Sequence, residues 1–297
     1  MIELYNEDNK DLMSRLPNES IDVICIDPPY LYLKNQKLEI DFDEKSFFAE
    51  CRRLLTNDGF IVMFGRGESF YRWNIILADL GFTFKEEIIW NKRRATSPFS
   101  AIGRIHETIS IFSKGRGKIN NVKVCYGELK AFDQDKVYED IKRLQGLFSR
   151  GKSYEKVVEN LRKADKLIDF SHAEKESKFK VTSQTFKKKC VSTYTLLAIE
   201  NGMREQTIIS DNNNHYSNIH PTQKPVRLLE RLLRLVIPDK PKNEIMVADF
   251  FGGSFSTMEA VFNMGMNGIA CEIDKEYFEA GKQRIESLQP NLFSSEL

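Results

Sequence analysis

Nowhere in the 297 residues does an apolar run approach the ~18 that cross a bilayer as a helix. The opening "MIELYNEDNK" is acidic and polar where a signal peptide is basic and then apolar, so a cytoplasmic protein with no membrane partner is expected. The five cysteines, at 25, 51, 125, 190 and 271, include no Cys-x-x-Cys pair, and the four histidines show no metal-ligand spacing. That pattern speaks for buried reduced thiols and against disulfides or a metal. Repeats and low-complexity tracts are missing too, which excludes solenoids and arrays. What remains, 41% hydrophobic and 29% charged, suits a soluble globular chain with a sizeable core, either one large domain or a domain with an insertion.

The net charge of +1 hides an asymmetry. Residues 141–190 hold 14 Lys or Arg against 6 Asp or Glu, a local +8, which leaves about −7 for the rest. Such a run fits a solvated helix face. With Phe148, Tyr154, Phe170, Phe179 and Phe186 interleaved, it equally fits a nucleic-acid backbone.

Strand and helix patterns alternate at both ends of the chain. Near the start the spacing predicts a helix over 9–16, a strand over 21–26, a helix near 44–55, and a strand "GFIVMFG" over 59–65 after the turn "TNDG". A helix around 68–79 precedes "FTFKEEIIW" at 82–90 and "HETISIFSK" at 106–114, two β-rich runs that read as an antiparallel pair. "KGRGK" then punctuates the chain, and an irregular basic stretch follows to about 215, with helix candidates at 153–168 and 192–202. This reads as an inserted second domain. The alternation resumes with a helix from Pro225, whose stripe of Val226, Leu229, Leu232, Leu233 and Val236 is core patterning.

Two strand ends carry chemistry. "VICIDPPYLYLK" at 23–34 runs from a buried strand into Asp27, Pro28, Pro29 and Tyr30. The prolines alone stop a strand. An acid and an aromatic ring on a stiff turn at a strand's carboxyl end are also placed to grip a flat polar ligand. The second, "EIMVADFFGGSFSTMEAVFNMG", is a strand ending at Asp249, a glycine turn, and a helix entered through Ser254 and Ser256. After the next strand comes Glu272, about 20 residues past the turn, where an acid can bind ribose hydroxyls. A lone Gly-Gly pair is commonly just a tight loop, but strand, turn, helix and acid together favour a nucleoside cofactor.

In this chain order, "DPPY" at 27–30, "HPTQKP" at 220–225 and "DFFGGSFST" at 249–257 resemble the motifs of the β-class DNA amino-methyltransferases. These enzymes move a methyl group from S-adenosyl-L-methionine to the exocyclic amine of adenine or cytosine. The resemblance covers residues 1–115 and 216–297, which it makes a discontinuous catalytic and cofactor-binding core. It implies a Rossmann-like α/β methyltransferase fold, with a mostly parallel sheet, an antiparallel hairpin, and a target-recognition domain inserted over 116–215.

The same resemblance assigns residues. It makes Asp27 the catalytic acid and Tyr30 the stacking aromatic, with Pro28 and Pro29 supplying a backbone carbonyl to the target amine. Asp249, Phe250, Phe251, Gly252, Gly253 and Ser254 match the cofactor motif, and Glu272 its ribose-binding acid. Asp8 matches an acid near the cofactor adenine, and Thr222 and Lys224 match residues near its methionine end. Arg104, His106 and Glu107 fall in a segment that helps position the target strand, and Lys187, Lys188 and Lys189 suit DNA phosphates. DNA is the implied partner, with a homodimer and a cognate restriction endonuclease as further expectations. Two positions depart from the family pattern: Phe250 stands where a proline is common, and Phe255 where a second glycine is common, which threatens to narrow the cofactor pocket.

The implied chemistry accounts for "DPPY". A base amine is a poor nucleophile because its lone pair is delocalised, and hydrogen bonds to a carboxylate and a carbonyl favour a more reactive nitrogen. Direct displacement then needs neither metal nor covalent enzyme intermediate. The base must leave the stack, and Tyr30 offers it a face. Aspartate at the head of the motif resembles the adenine-N6 enzymes; the cytosine-N4 enzymes more often begin with serine. RNA or protein methylation, a non-catalytic DNA-binding subunit and a nucleotide-binding dehydrogenase are the alternatives. The last leaves "DPPY" unexplained, and a binding-only subunit has no need of both the acid and the cofactor turn.

Overall fold

A computed structural model describes residues 1–30, 41–93, 101–148, 191–211 and 223–288. The chain begins with strand β1 (Ile2–Tyr5) and helix α1 (Asn9–Arg15), which Asp8 caps by accepting from the Lys10 amide at 2.8 Å. Strand β2 (Ile21–Ile26) follows, and all six of its residues are buried, as expected of a strand covered on both faces. Helix α2 (Glu44–Leu54) starts at Asp43, whose carboxylate accepts from the Ser46 amide, and strand β3 (Leu55–Gly65) follows without a break.

The expected "TNDG" turn is therefore part of β3. Ile21 pairs with Leu55 and Val23 with Phe60, so a register shift absorbs Thr56 to Gly59 instead of ending the strand. Helix α3 (Gly67–Asp79) leads to strands β4 (Thr83–Asn91) and β5 (His106–Ser113), which are antiparallel as their patterns predicted. Next come strand β6 (Lys123–Val124), helices α4 (Tyr126–Lys130), α5 (Gln134–Phe148) and α6 (Val191–Asn201), and strands β7 (Met203–Arg204) and β8 (Ile208–Ser210). Helix α7 (Val226–Val236), strand β9 (Met246–Asp249), helix α8 (Ser256–Asn263), strand β10 (Asn267–Cys271) and helix α9 (Lys275–Leu288) complete the fold. The predicted helix over 153–168 lies outside the described residues.

The chain divides into two compact units, residues 1–120 with 207–297, and residues 121–206. In the first, eight strands run in the order β1-β10-β9-β2-β3-β5-β4-β8. The first five are mutually parallel, β5 is antiparallel to both β3 and β4, and β8 pairs parallel to β4. That last pairing is why residues 207–211, expected in the insert, belong with the sheet.

From β2 the chain steps through α2 to β3 on one side; from β9 it steps through α8 to β10 on the other. The order reverses between β9 and β2, and in open α/β sheets that is where ligands bind, outside the carboxyl ends of the strands. The core beneath includes Phe47, Phe48, Trp73 and Phe250, all buried. In the second unit β6 pairs antiparallel with β7, and Tyr126, Leu144 and Ile199 of α4, α5 and α6 form its buried centre. The Tyr126 hydroxyl donates to Asp140 at 2.6 Å. Among the described residues no helix is long and apolar enough to cross a membrane, and no cluster of side chains suits a metal.

Candidate active site

Three carboxylates stand at the ends of three adjacent strands: Glu272 just past β10, Asp249 at the end of β9, and Asp27 just past β2. Because β5 runs antiparallel to β3, its start lies at this same edge of the sheet, as does the end of β4. Trp90 pairs with Glu107 and Asn91 with His106, so Glu107 and Lys92 join the row.

Asp27 is gripped from two sides. Tyr30 donates its hydroxyl to Oδ1 at 2.5 Å, and the Lys224 ammonium, arriving just before α7, pairs with Oδ2. Pro28 is buried and Pro29 half-buried, so the turn that holds the acid is stiff and packed. The Tyr30 carbonyl accepts from Ser69 Oγ at 2.6 Å, and its ring meets Trp73 at a centroid distance of 6.2 Å. Lys224 was expected beside the methionine end of the cofactor; the structure puts its Nζ on Asp27, 3.3 Å from Glu107 Oε2 and 5.1 Å from the centre of the Phe64 ring. Sequence reasoning missed Lys92, whose Nζ donates to Glu107 Oε1 at 2.9 Å. Nothing in the β4 pattern marks it, since its partner is 15 residues away across a hairpin.

The second half of the site is the turn after β9. Gly252 N–H donates to the Cys271 carbonyl at 2.8 Å and Phe255 N–H to the Gly252 carbonyl at 2.7 Å, tying the turn to the end of β10. Gly253 has φ of +52°, a backbone that favours glycine, and its N–H donates to Glu272 Oε2 at 2.8 Å. The other oxygen of Glu272 accepts from the Asp274 amide at 2.8 Å. Helix α8 was expected to be entered through Ser254 and Ser256; its cap is instead Phe255, in the left-handed region at φ 55°, ψ 31°, with no side-chain cap hydrogen bond.

The Phe255 ring does not narrow a pocket, for it is wholly buried. It fills the space a Cβ would need at Gly252 and at Gly281 of α9, and meets Phe278 edge-on at 5.9 Å. Behind the turn, Arg284 donates to Glu259 at 2.5 Å and to Ser256 Oγ at 3.1 Å. Phe250 faces into the core, while the half-buried Phe251 contacts Phe42 and Phe47 at 5.2 and 5.1 Å.

Burial acts on all these acids. It pushes Asp249 up to about 7 against hydrogen bonds from Thr257 and the Phe251 amide. It also raises Glu272, and raises Asp27 despite the adjoining Lys224. Glu107 lies below the usual carboxylate range, because Lys224 and Lys92 together outweigh its burial. Lys224, between two carboxylates, is held above the ordinary lysine value and stays charged.

The remaining sequence candidates are scattered. Asp8 is exposed and occupied in capping α1. Arg104 and His106 are exposed at the start of β5. Thr222, Lys187, Lys188 and Lys189 lie outside the described residues.

With the switch point and its acids in view, the comparison with known proteins identifies the class. The PvuII DNA methyltransferase, cytosine-N4-specific, superposes over 99% of this chain and 88% of its own with a TM-score of 0.59 at 16% identity. M1.HpyAVI, in complex with SAM, does so over 96% and 100% with a TM-score of 0.54 at 19% identity. The fold is that of the class I methyltransferases. The profile of the N6/N4 family, described as DNA methylase, matches residues 21–283, and the chain belongs to that family. Among its relatives is the Type II methyltransferase M.HinfI of Haemophilus influenzae, 24% identical over 303 residues, spanning 94% of this chain and 67% of the relative.

Proposed function

We propose that the protein is a β-class, site-specific DNA methyltransferase that methylates adenine N6 of a flipped-out base, with S-adenosyl-L-methionine as donor. The observation that carries this reading is the juxtaposition at the switch point. An acid on a proline-stiffened turn after β2 sits beside a glycine turn and a second acid on β9 and β10, although the two halves are over 220 residues apart in sequence.

The residues suit the cofactor. Each oxygen of Glu272 accepts one amide N–H, which leaves lone pairs for the two hydroxyls of a ribose. Gly253, in the left-handed region, bends the turn so that its N–H reaches Glu272, Phe251 offers a ring edge, and Asp249 lies at the adjoining strand end. When bound, the cofactor supplies an electrophilic methyl on sulfur. Asp27 does the orienting: two of its four acceptor sites are taken by Tyr30 and Lys224, and the others can receive the N–H of the target amine. Lys224 keeps that carboxylate ionised, and the packed turn fixes its direction before substrate arrives. Tyr30 also supplies the ring against which the extruded base stacks. The unit over residues 121–206, which contains the basic stretch, is the part that reads DNA.

Cytosine N4 is the runner-up, supported by the cytosine-N4-specific fold relative; the aspartate at the head of "DPPY" favours adenine. The test is nucleoside mass spectrometry, with position mapping, of DNA incubated with the protein and S-adenosyl-L-methionine. N6-methyladenine in a short defined context is expected. N4-methylcytosine alone would overturn the base assignment, and no methylated base at all would overturn the reading.

A further inference from the structure

Four charges alternate in sign across the sheet edge, two buried lysines and two half-buried acids: Asp27, Lys224, Glu107 and Lys92. The ion pairs join Lys224 to Asp27 Oδ2, Lys224 to Glu107 Oε2 at 3.3 Å, and Lys92 to Glu107 Oε1 at 2.9 Å. The two lysine side chains are each 8% exposed, Glu107 14% and Asp27 21%. Ion pairs this dry contribute little net stability over apolar packing, yet removing one member strands its neighbour. Their arrangement calls for a role other than holding the fold.

Topology delivers three of the four without any special loop. Lys92 follows the end of β4, Glu107 is the second residue of β5, and Asp27 follows β2 at the same edge. Lys92 is fixed further, its amide donating to the Ile105 carbonyl at 2.7 Å and its Nζ lying 5.6 Å from the centre of the Trp90 ring.

We propose that Glu107, held by Lys92, is a positioning residue for methyl transfer: it shares the Lys224 ammonium with Asp27 and so keeps Asp27 from being fully neutralised. This rests on the reading of Asp27 as the acid that orients the target amine. A carboxylate that owned Lys224 alone would be a weak acceptor for a base amine. One facing Glu107 without Lys92 would be driven toward its protonated form, which cannot accept the hydrogen bond in the same way. Glu107 and Lys92 therefore act on Asp27 with opposite sign. The other groups facing Asp27 are Tyr30, which donates to it, and Asp249 and Cys25, which interact with it electrostatically. Substituting Glu107 or Lys92 removes none of these.

The test is the titration of Asp27 in the full-length protein, followed by carboxyl-13C NMR of labelled aspartate and assigned by loss of the signal in Asp27→Asn. Glu107→Gln should lower the midpoint by about one pH unit for a unit charge removed one ion pair away, and Lys92→Met should raise it by a smaller amount, from one ion pair further along. Lys92→Arg should titrate like the native protein. Opposite shifts with the charge-conserving rescue support the proposal; unmoved midpoints, or shifts of one sign, overturn it. Should Glu107→Gln not fold, the pair Lys92→Met and Lys92→Arg decides by itself, since a merely structural lysine would leave the midpoint where it was. The functional reading fails separately: a protein that titrates as expected but methylates no DNA sinks that reading alone, and one that methylates while its midpoints stay still sinks this proposal alone.

Discussion

Replacing Phe255 by glycine and by alanine tests how the departure from the family's glycine is accommodated. The side chain is wholly buried against Gly252, Gly281 and Phe278, and its backbone is left-handed at φ 55°. Truncating a buried phenylalanine costs ~3–5 kcal/mol, through lost transfer and the cavity left behind. The left-handed region costs a residue with a Cβ about 1–2 kcal/mol, and glycine escapes this but gives back ~0.5–1 kcal/mol in unfolded-chain entropy. Packing wins: both variants should be destabilised, with the glycine variant about 0.5–1 kcal/mol better than the alanine one. For a unit of this size the midpoint of thermal unfolding should fall by roughly 5–15 °C. Urea unfolding of the three proteins measures the differences, beside a calorimetric titration of S-adenosyl-L-methionine. A glycine variant as stable as the native chain would show that the ring is not packed as described. An alanine variant equal to or better than the glycine one would refute the backbone argument.

Asp27→Ala should cut methyl transfer by at least ~10²-fold, the scale of one preorganised electrostatic group, with cofactor affinity little changed. Single-turnover methylation beside cofactor titration separates the two, and equal loss of both would remove Asp27 from the target side. Glu272→Ala should abolish measurable cofactor binding and also loosen the turn, since it strips acceptors from Gly253 and Asp274; an unfolding midpoint equal to the native one would contradict the second part. Asp249 has a folded-state value of about 7, above its unfolded one, so the stability it contributes is complete below about pH 4 and lost as pH rises through about 7. Asp249→Asn should therefore gain on the native protein across that window, by no more than ~4 kcal/mol, as read by denaturant titrations at several pH values. A constant difference across pH would mean the carboxyl is ionised throughout. Neutralising Lys187, Lys188 and Lys189 should weaken DNA binding with little regard to sequence and lower the log–log salt slope by about 0.9 for each DNA phosphate that the protein ceases to neutralise. An unchanged slope would make that tract a solvated surface.

Local chemistry was enough for much of this protein. The buried run of β2 ending at Asp27, the helical stripe of α7, the antiparallel pair β4 and β5, and the strand, glycine turn and strand leading to Glu272 are all legible in the sequence, because each depends on periodicity or backbone restriction over fewer than about 25 residues. The motif order also pointed to the methylase family to which the chain belongs. Other features were decided only by the tertiary structure. "TNDG" looks like a turn, yet a parallel neighbour on each side of the register shift draws it into β3. Phe255 looks like an obstruction, yet bare glycine surfaces on two elements 29 residues apart give its ring a place in the core. Lys224 sits among cofactor-side residues in the motif, but the strand order brings it to Asp27 and Glu107, and neither Lys92 nor the shared ammonium carries any local mark. Electrostatic partners are set by which strand ends meet at one edge of the sheet, and a sequence pattern with periods of 2 and 3.6 contains no record of that order.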